Sequence, residues 1–280
     1  MKTYLFLTAA HNGPQKNFFG LVIATALAFT HQPAAANPVG VHLDTASGFA
    51  VLAGSGITVA GAANSTTITG DIGTSPTPAM TGLGNVILNG VNQANNAVTA
   101  QAKIDLGTAY NDAAGRAYNA TYALGYDLVG QTLTSGVYND ASSFFLSGTL
   151  TLDGQGNPEA VFIFQAGSTL ITASDSHVVL IGGAQACHVY WQVGSSATLG
   201  TDTDFMGNIL ALTDITLNTG ATVDGRALAL NGAVTLDNNS ITTPVCNLIA
   251  GVPDGGSTLA MLGLGLAGLL ALRQRHVFRA

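Results

Sequence analysis

Between Thr132 and Leu236 a Thr-Leu pair returns at near-fixed intervals: Thr132-Leu133, Thr151-Leu152, Thr169-Leu170, Thr198-Leu199, Thr216-Leu217 and Thr235-Leu236. The steps are 19, 18, 29, 18 and 19 residues. Within each step, apolar and polar residues alternate over short stretches broken by Gly, Asn or Asp, as in half-buried strands separated by turns. A period of this size predicts a β-solenoid, in which each coil stacks on the next. Leu152, Leu170, Leu199, Leu217 and Leu236 are then expected to form one inward column. The long step predicts an inserted excursion of about half a coil, around Ile181 to Val193.

Two shorter β-like stretches come earlier, Phe49 to Val59 and Thr66 to Ile72. From about 91 to 122 the pattern changes. Val91, Ala94, Val98, Ala109, Ala113 and Ala117 fall at helical spacing, which predicts one amphipathic helix, weakened at Gly107 and Gly115. No heptad persists long enough for a coiled coil, so this helix is expected to cover an apolar flank of the solenoid. The fold class expected is mainly β, a solenoid with one long helix alongside.

Composition supports a packed chain. Charged residues make up only 8% and hydrophobic ones 47% of the 280, with 35 glycines and a mean hydropathy of +0.37. The central region holds three cations, Lys103, Arg116 and Arg226, against fourteen acids, a net charge of −11. Such a surface repels phosphate and excludes nucleic-acid binding through a basic patch.

Both ends read as addresses. Lys16, the apolar run Phe18 to Phe29 and Ala34-Ala35-Ala36 have the layout of a secretory signal over residues 1–36, which leaves 37–250 as the exported domain. At the other end, Val252-Pro253-Asp254-Gly255-Gly256 leads into the uncharged Ser257 to Leu272, closed by Arg273-Gln274-Arg275. That stretch is slightly short of the roughly 20 apolar residues of a spanning helix, and its plain reading is a marginal membrane anchor. The arrangement over 251–280 resembles the PEP-CTERM and VPDSG-CTERM sorting signals, with Gly255 where the latter has Ser. The resemblance implies recognition by an exosortase-like enzyme, transient membrane contact, and release or attachment at the cell surface.

Two cysteines, Cys187 and Cys246, fall in the exported region, where a pair is readily joined as a disulfide; two buried thiols are the alternative. Neither a CxxC motif nor a four-ligand zinc pattern is present, and His42, His177 and His188 lack metal spacing. Asp202 and Asp204 are too few for calcium. Three scattered cations and a lone Trp191 offer no sugar-processing cleft, so the chain reads as non-enzymatic.

The stretches FAVLAGSGITVAG, TGDIGTSP, AYNDAAGR, GTLTLDGQGNPEAVFIFQAGSTL, CHVYWQVGSSATLG and GNILALTDITLNTGATVDGRALALNGAVTLDNNSIT carry a specific resemblance. Leu43 to Cys246 resembles the ice-binding-like β-helix (DUF3494) family of bacteria and fungi. This implies an irregular right-handed β-helix of triangular section, a helix alongside, and binding of ice by one flat face with no metal or cofactor. Aligning coils two residues after each Leu places Thr172, Thr201, Thr219 and Asn238 in one column, and Asp175, Asp204, Thr222 and Ile241 in another. Thr219-Gly220-Ala221-Thr222 fits the family's Thr, Ala or Gly, any residue, Thr or Asn pattern. Thr172, Ser174, Thr201, Thr203, Thr219 and Thr222 are therefore the candidate ice-binding residues, although the aspartates interrupt the face they would form. A non-enzymatic structural or adhesive envelope protein on the same scaffold is the alternative.

Overall fold

The computed structural model describes residues 37–246. The expected secretory signal and C-terminal sorting segment lie outside the described residues. Among the described residues no helix is long and apolar enough to cross a membrane.

The chain winds into parallel coils that present three faces. Seven short strands form the first, in the spatial order Phe144–Leu146, Leu170–Thr172, Ala197–Leu199, Ile215–Leu217, Ala233–Asp237, Gly56–Ala60 and Met80–Thr81. The other two faces belong to one 14-stranded sheet, because the strands Asp204–Ala211 and Thr222–Ala229 bend through the corner between them. The bend falls at Gly207 and Gly225, which are paired in register. A Cβ on Gly225 would lie 1.8 Å from the Gly207 carbonyl oxygen, so only glycine fits there.

The stacking order departs from the chain order. The first coil docks on the last: Phe49–Ala53 pairs with Thr222–Ala229, Gly56–Ala60 with Ala233–Asp237, and Thr66–Thr69 with Ser240–Thr242. A second coil, Asp71–Thr74, Met80–Thr81 and Val86–Asn89, then closes that end. The chain reaches the opposite end through the helix α1, Ala97–Gly115. Its 19 residues rise about 28 Å, which matches the roughly 29 Å of six strand-to-strand steps along the face it crosses.

Helix α1 is shorter than the 91–122 span expected. Residues before it still stack as β-structure, with Gln93 N–H donating to Ile72 O and Asn95 N–H to Thr74 O. Asn96 then caps the helix by accepting from Thr99 N–H at 2.9 Å. The buried stripe is Thr99, Ala102, Leu106, Ala109, Tyr110 and Ala113, while Val91 and Val98 are exposed. Small alanines let the helix approach Leu52, Leu210, Leu228 and Ile163 on the sheet. Polar pins fix its position. Buried Gln165 donates to the Ala113 and Arg116 carbonyls at the helix C-terminus, and Gln192 donates to the Tyr110 hydroxyl.

Inside the coils, aromatic residues fill one end and aliphatics the other. Phe164 and Trp191 stack at 4.0 Å, flanked by Tyr138 at 5.3 Å from Phe164 and by Phe205 at 5.0 Å from Trp191. Leu152, Leu170, Leu199, Leu217 and Leu236 are all buried, but they do not form the single column expected. Leu199, Leu217 and Leu236 share one; Leu170 aligns with Ala197, and Leu152 with Leu133 and Leu180 on another face. The Thr-Leu interval thus mixes two faces. The excursion is also smaller than half a coil: residues 182–188 bulge at one corner, after which Val189–Val193 resumes as a regular strand, and 154–161 bulge likewise one coil earlier.

Lys103 gives a direct check on helix docking. Its ammonium donates to the Ala229 carbonyl at 2.6 Å and to that of Leu230, and burial pushes its pKa down to about 8. Because the neutral amine keeps two N–H donors for those carbonyls, deprotonation preserves the contact. Between pH about 8 and 10.5 the unfolded chain therefore holds the proton that the folded chain has lost, and stability rises with pH by at most about 3 kcal/mol. Urea unfolding at pH 7.5 and 9.5 should show this rise, and Lys103→Met should remove it.

Candidate functional site

Among the described residues helix α1 covers one face and nothing covers the other two. On the seven-stranded face, alternation turns Leu199, Leu217 and Leu236 inward and the preceding threonines outward. The register aligns Thr198, Thr216, Thr235, Thr58 and Thr81 in a single outward column, continued at the far end by Ile171 and Phe145. Thr58 and Thr81 are exposed, and the other three threonines are half-exposed beside their neighbours. Thr81 Oγ1 lies 3.2 Å from Thr58 Oγ1. Hydroxyls also line one border, where Ser143 meets Thr169 at 2.8 Å and Ser196 meets Thr213 at 2.7 Å.

No charge enters the threonine column. Asp214 and Asp237 stand at its borders and are tied down. Asp214 Oδ1 accepts from Ala233 N–H at 2.7 Å, and Asp237 accepts the Thr219 hydroxyl.

The third face is broken up. Its outward register runs Thr149, His177, Asp204, Thr222, Ser240, Thr67 and Ile87. His177 Nδ1 lies 3.2 Å from Asp204 Oδ2 and Nε2 lies 3.5 Å from Asp175. A depression of about 460 Å³ opens between His177, Val179, Asp204, Met206 and Asp224. Burial pushes the Asp224 carboxyl above its ordinary range, with Arg226 opposing.

The six threonines and serines singled out from sequence fall into three environments. Thr172 and Thr203 are buried, their hydroxyls 2.9 Å apart, with Thr172 Oγ1 also accepting from Gly200 N–H at 2.8 Å. They act as internal corner supports and cannot touch a surface ligand. Thr172 aligns with Leu199 in the register, since Leu170 pairs with Ala197 rather than with Leu199. Ser174, Thr201 and Thr219 lie on the corner between the two open faces. Thr222 lies on the broken face, its hydroxyl on Asp204 at 2.8 Å.

The same geometry explains the aspartates. Asp175, Asp202 and Asn238 have φ of 58°, 56° and 57°, and Gly220 has 79°. This is the corner position of successive coils, where Asp and Asn tolerate left-handed backbone better than other side chains do. The positions after each Leu run into the turn, so the alignment two residues beyond Leu misses the threonine column. The usable signal was one residue back, in the Thr of each Thr-Leu pair after the long step.

An outward threonine column without a charge in it, carried on a stack of parallel coils, defines the class as a β-helix protein with one ordered hydroxyl-bearing face. Residues 51–242 match the family model described as Ice-binding-like, and the chain belongs to that family. Residues 251–275 match the VPDSG-CTERM motif. The chain is 50% identical over 240 residues to an ice-binding protein of Nostoc sp. (strain HG1), covering 83% of this chain and 87% of the relative. An ice-binding protein of Colwellia sp. is 37% identical, covering 75% of this chain and 86% of the relative. Among solved structures, an ice-binding protein from an Antarctic biological consortium superposes with a TM-score of 0.72 at 46% identity, covering 76% of this chain and 95% of that one. That of the ascomycete Antarctomyces psychrotrophicus gives 0.69 at 38%, covering 73% and 98%.

The buried pair can be separated from surface threonines by stability alone. Thr203→Val removes the buried hydroxyl that bonds Thr172 Oγ1 and the Ala173 carbonyl and should cost about 1–3 kcal/mol, whereas the same change at half-exposed Thr222 should stay within about 0.5 kcal/mol. Urea midpoints of the two variants measure the difference.

Proposed function

We propose that this protein binds ice through the seven-stranded face, with Thr58, Thr81, Thr198, Thr216 and Thr235 as the contact column. The observation that carries this reading is the unbroken register of those threonines on the one open face without an outward charge in its central column. Stacked strands repeat at about 4.7–4.9 Å, so the hydroxyls and methyls form an ordered array before any ice is met. The methyls favour an ordered water layer and the hydroxyls bond to it. Threonine χ1 is restricted by β-branching, so adsorption freezes little side-chain motion. Charged side chains on the broken face hold mobile water instead, which disfavours it as the ice surface.

The protein acts by adsorption rather than catalysis, with no cofactor in the contact. Its C-terminal motif supports export and presentation at the cell surface or release from it. An exosortase-like membrane enzyme is the processing partner that such a tail fits. The Ser174, Thr201, Thr219 and Thr222 group lies at the edge of the contact at most, and the corner aspartates do not interrupt it.

Ice recrystallisation inhibition decides between the faces. Thr216→Tyr, in the middle of the column, should abolish activity with thermal stability nearly unchanged, because a substitution on the outward, half-exposed side of a strand usually costs within about 0.5 kcal/mol. Thr222→Tyr on the broken face should leave activity intact. Loss in the second variant and retention in the first would reassign the ice surface to the broken face.

A further inference from the structure

A cluster remote from the threonine face joins the two corner bulges to the end of the last coil. The bulges 154–161 and 182–188 stack on each other through Gly156 N–H donating to Gly182 O at 2.6 Å and Gln185 Nε2 donating to Pro158 O at 2.9 Å. Cys187 and His188 sit in the tight turn Ala186–His188 of the second bulge. Cys246, four residues beyond the strand Ser240–Thr242, is bonded to Cys187 as a disulfide with Cα atoms 5.7 Å apart. His188 Nε2 lies 3.7 Å from Cys246 Sγ and 3.8 Å from Glu159 Oε2. The two sulfurs and a His188 ring nitrogen all fall within 4.8 Å of one another.

The tautomer of His188 follows from its other neighbour. Nδ1 faces the Pro158 carbonyl at 3.1 Å, and a carbonyl can only accept, so Nδ1 carries the proton of the neutral ring. In the neutral ring Nε2, on the side of Cys246 and Glu159, keeps the lone pair that a metal ion would take. A ring nitrogen held this way by a backbone carbonyl is the usual support of a metal-ligating histidine.

We infer that, when the disulfide is reduced, Cys187, His188 and Cys246, completed by Glu159, bind a borderline-soft divalent cation of the zinc class. Tetrahedral zinc places sulfur and nitrogen ligands about 3.6 Å apart and oxygen and nitrogen ligands about 3.4 Å apart. The observed 3.7 and 3.8 Å need only small adjustments. The sulfurs must part to about 3.8 Å. Exposed Cys246, beyond the last strand, provides that movement. Two thiolates select against magnesium and calcium. The redox step balances with a dithiol as reductant: it gives two electrons and two protons, becomes a disulfide itself, and converts the protein S–S bond to two thiols. Metal binding then releases both thiol protons as two S–metal bonds form. The corner is closed by a covalent clasp under oxidising conditions and by a metal clasp under reducing ones. Ice binding plays no part in this assignment.

The test uses protein secreted from the full chain, reduced with a dithiol, freed of reductant without air, and titrated with Co²⁺. The reduced protein should bind one equivalent with thiolate-to-cobalt charge-transfer absorption, displaced by Zn²⁺, and the oxidised protein should show none. His188→Ala should weaken binding at least about tenfold, and Glu159→Gln should weaken it less. Absence of the charge-transfer band, or unchanged affinity in both variants, overturns the assignment. If reduction unfolds the chain, circular dichroism is followed as Zn²⁺ is added; recovery of the β spectrum supports the site and failure to recover overturns it.

Discussion

Parallel, in-register stacking of backbone hydrogen bonds is the constraint from which the other features follow. It turns each position of a coil into a column, so one choice of residue type is multiplied along the molecule. Where the column points inward, Leu199, Leu217 and Leu236 fill the core without a gap in register. One residue earlier it points outward, and the same ladder that packs the leucines spaces the threonines. Core packing and surface order are therefore one property, and a coil that slipped by one residue would lose both.

A stack of this kind needs its ends closed and its apolar flank covered. Docking the first coil on the last makes the closure non-local, since Val51 and Ala227 are paired across most of the domain. The chain must then return to the far end, and helix α1 does so over nearly the length of the face it covers. Covering that face leaves two surfaces. On one of them His177, Asp204 and Asp224 break the register of small polar residues and surround a depression, so only the short-strand face stays both even and uncharged along its central column.

The solenoid and its accompanying helix were legible because both rest on periodicity, and the family resemblance added a triangular section and a function. Register was not legible. The structure pairs Leu170 with Ala197, an offset of 27 residues, whereas matching Thr169-Leu170 to Thr198-Leu199 requires 29. Matching by the Thr-Leu pair therefore puts Thr172 on the surface, whereas in the structure it stands in the core, level with Leu199. Asp175 and Asp204 read as defects of an ice face because nothing in their spacing reveals which face a side chain joins; Asp175, at positive φ, is a corner residue, and Asp204 stands on the other open face. Likewise Cys246 lies 58 residues from His188, and only the fold brings them to 3.7 Å.

The central claim, that the threonine column orders water before it meets ice, is tested most directly by a high-resolution crystal structure with the short-strand face clear of lattice contacts. The account predicts a regular file of waters along Thr198, Thr216, Thr235, Thr58 and Thr81, repeating at about the 4.7–4.9 Å strand spacing and bonded to successive hydroxyls. Scattered, unordered water on that face, with a regular file on the face of His177 and Asp204 instead, would contradict it.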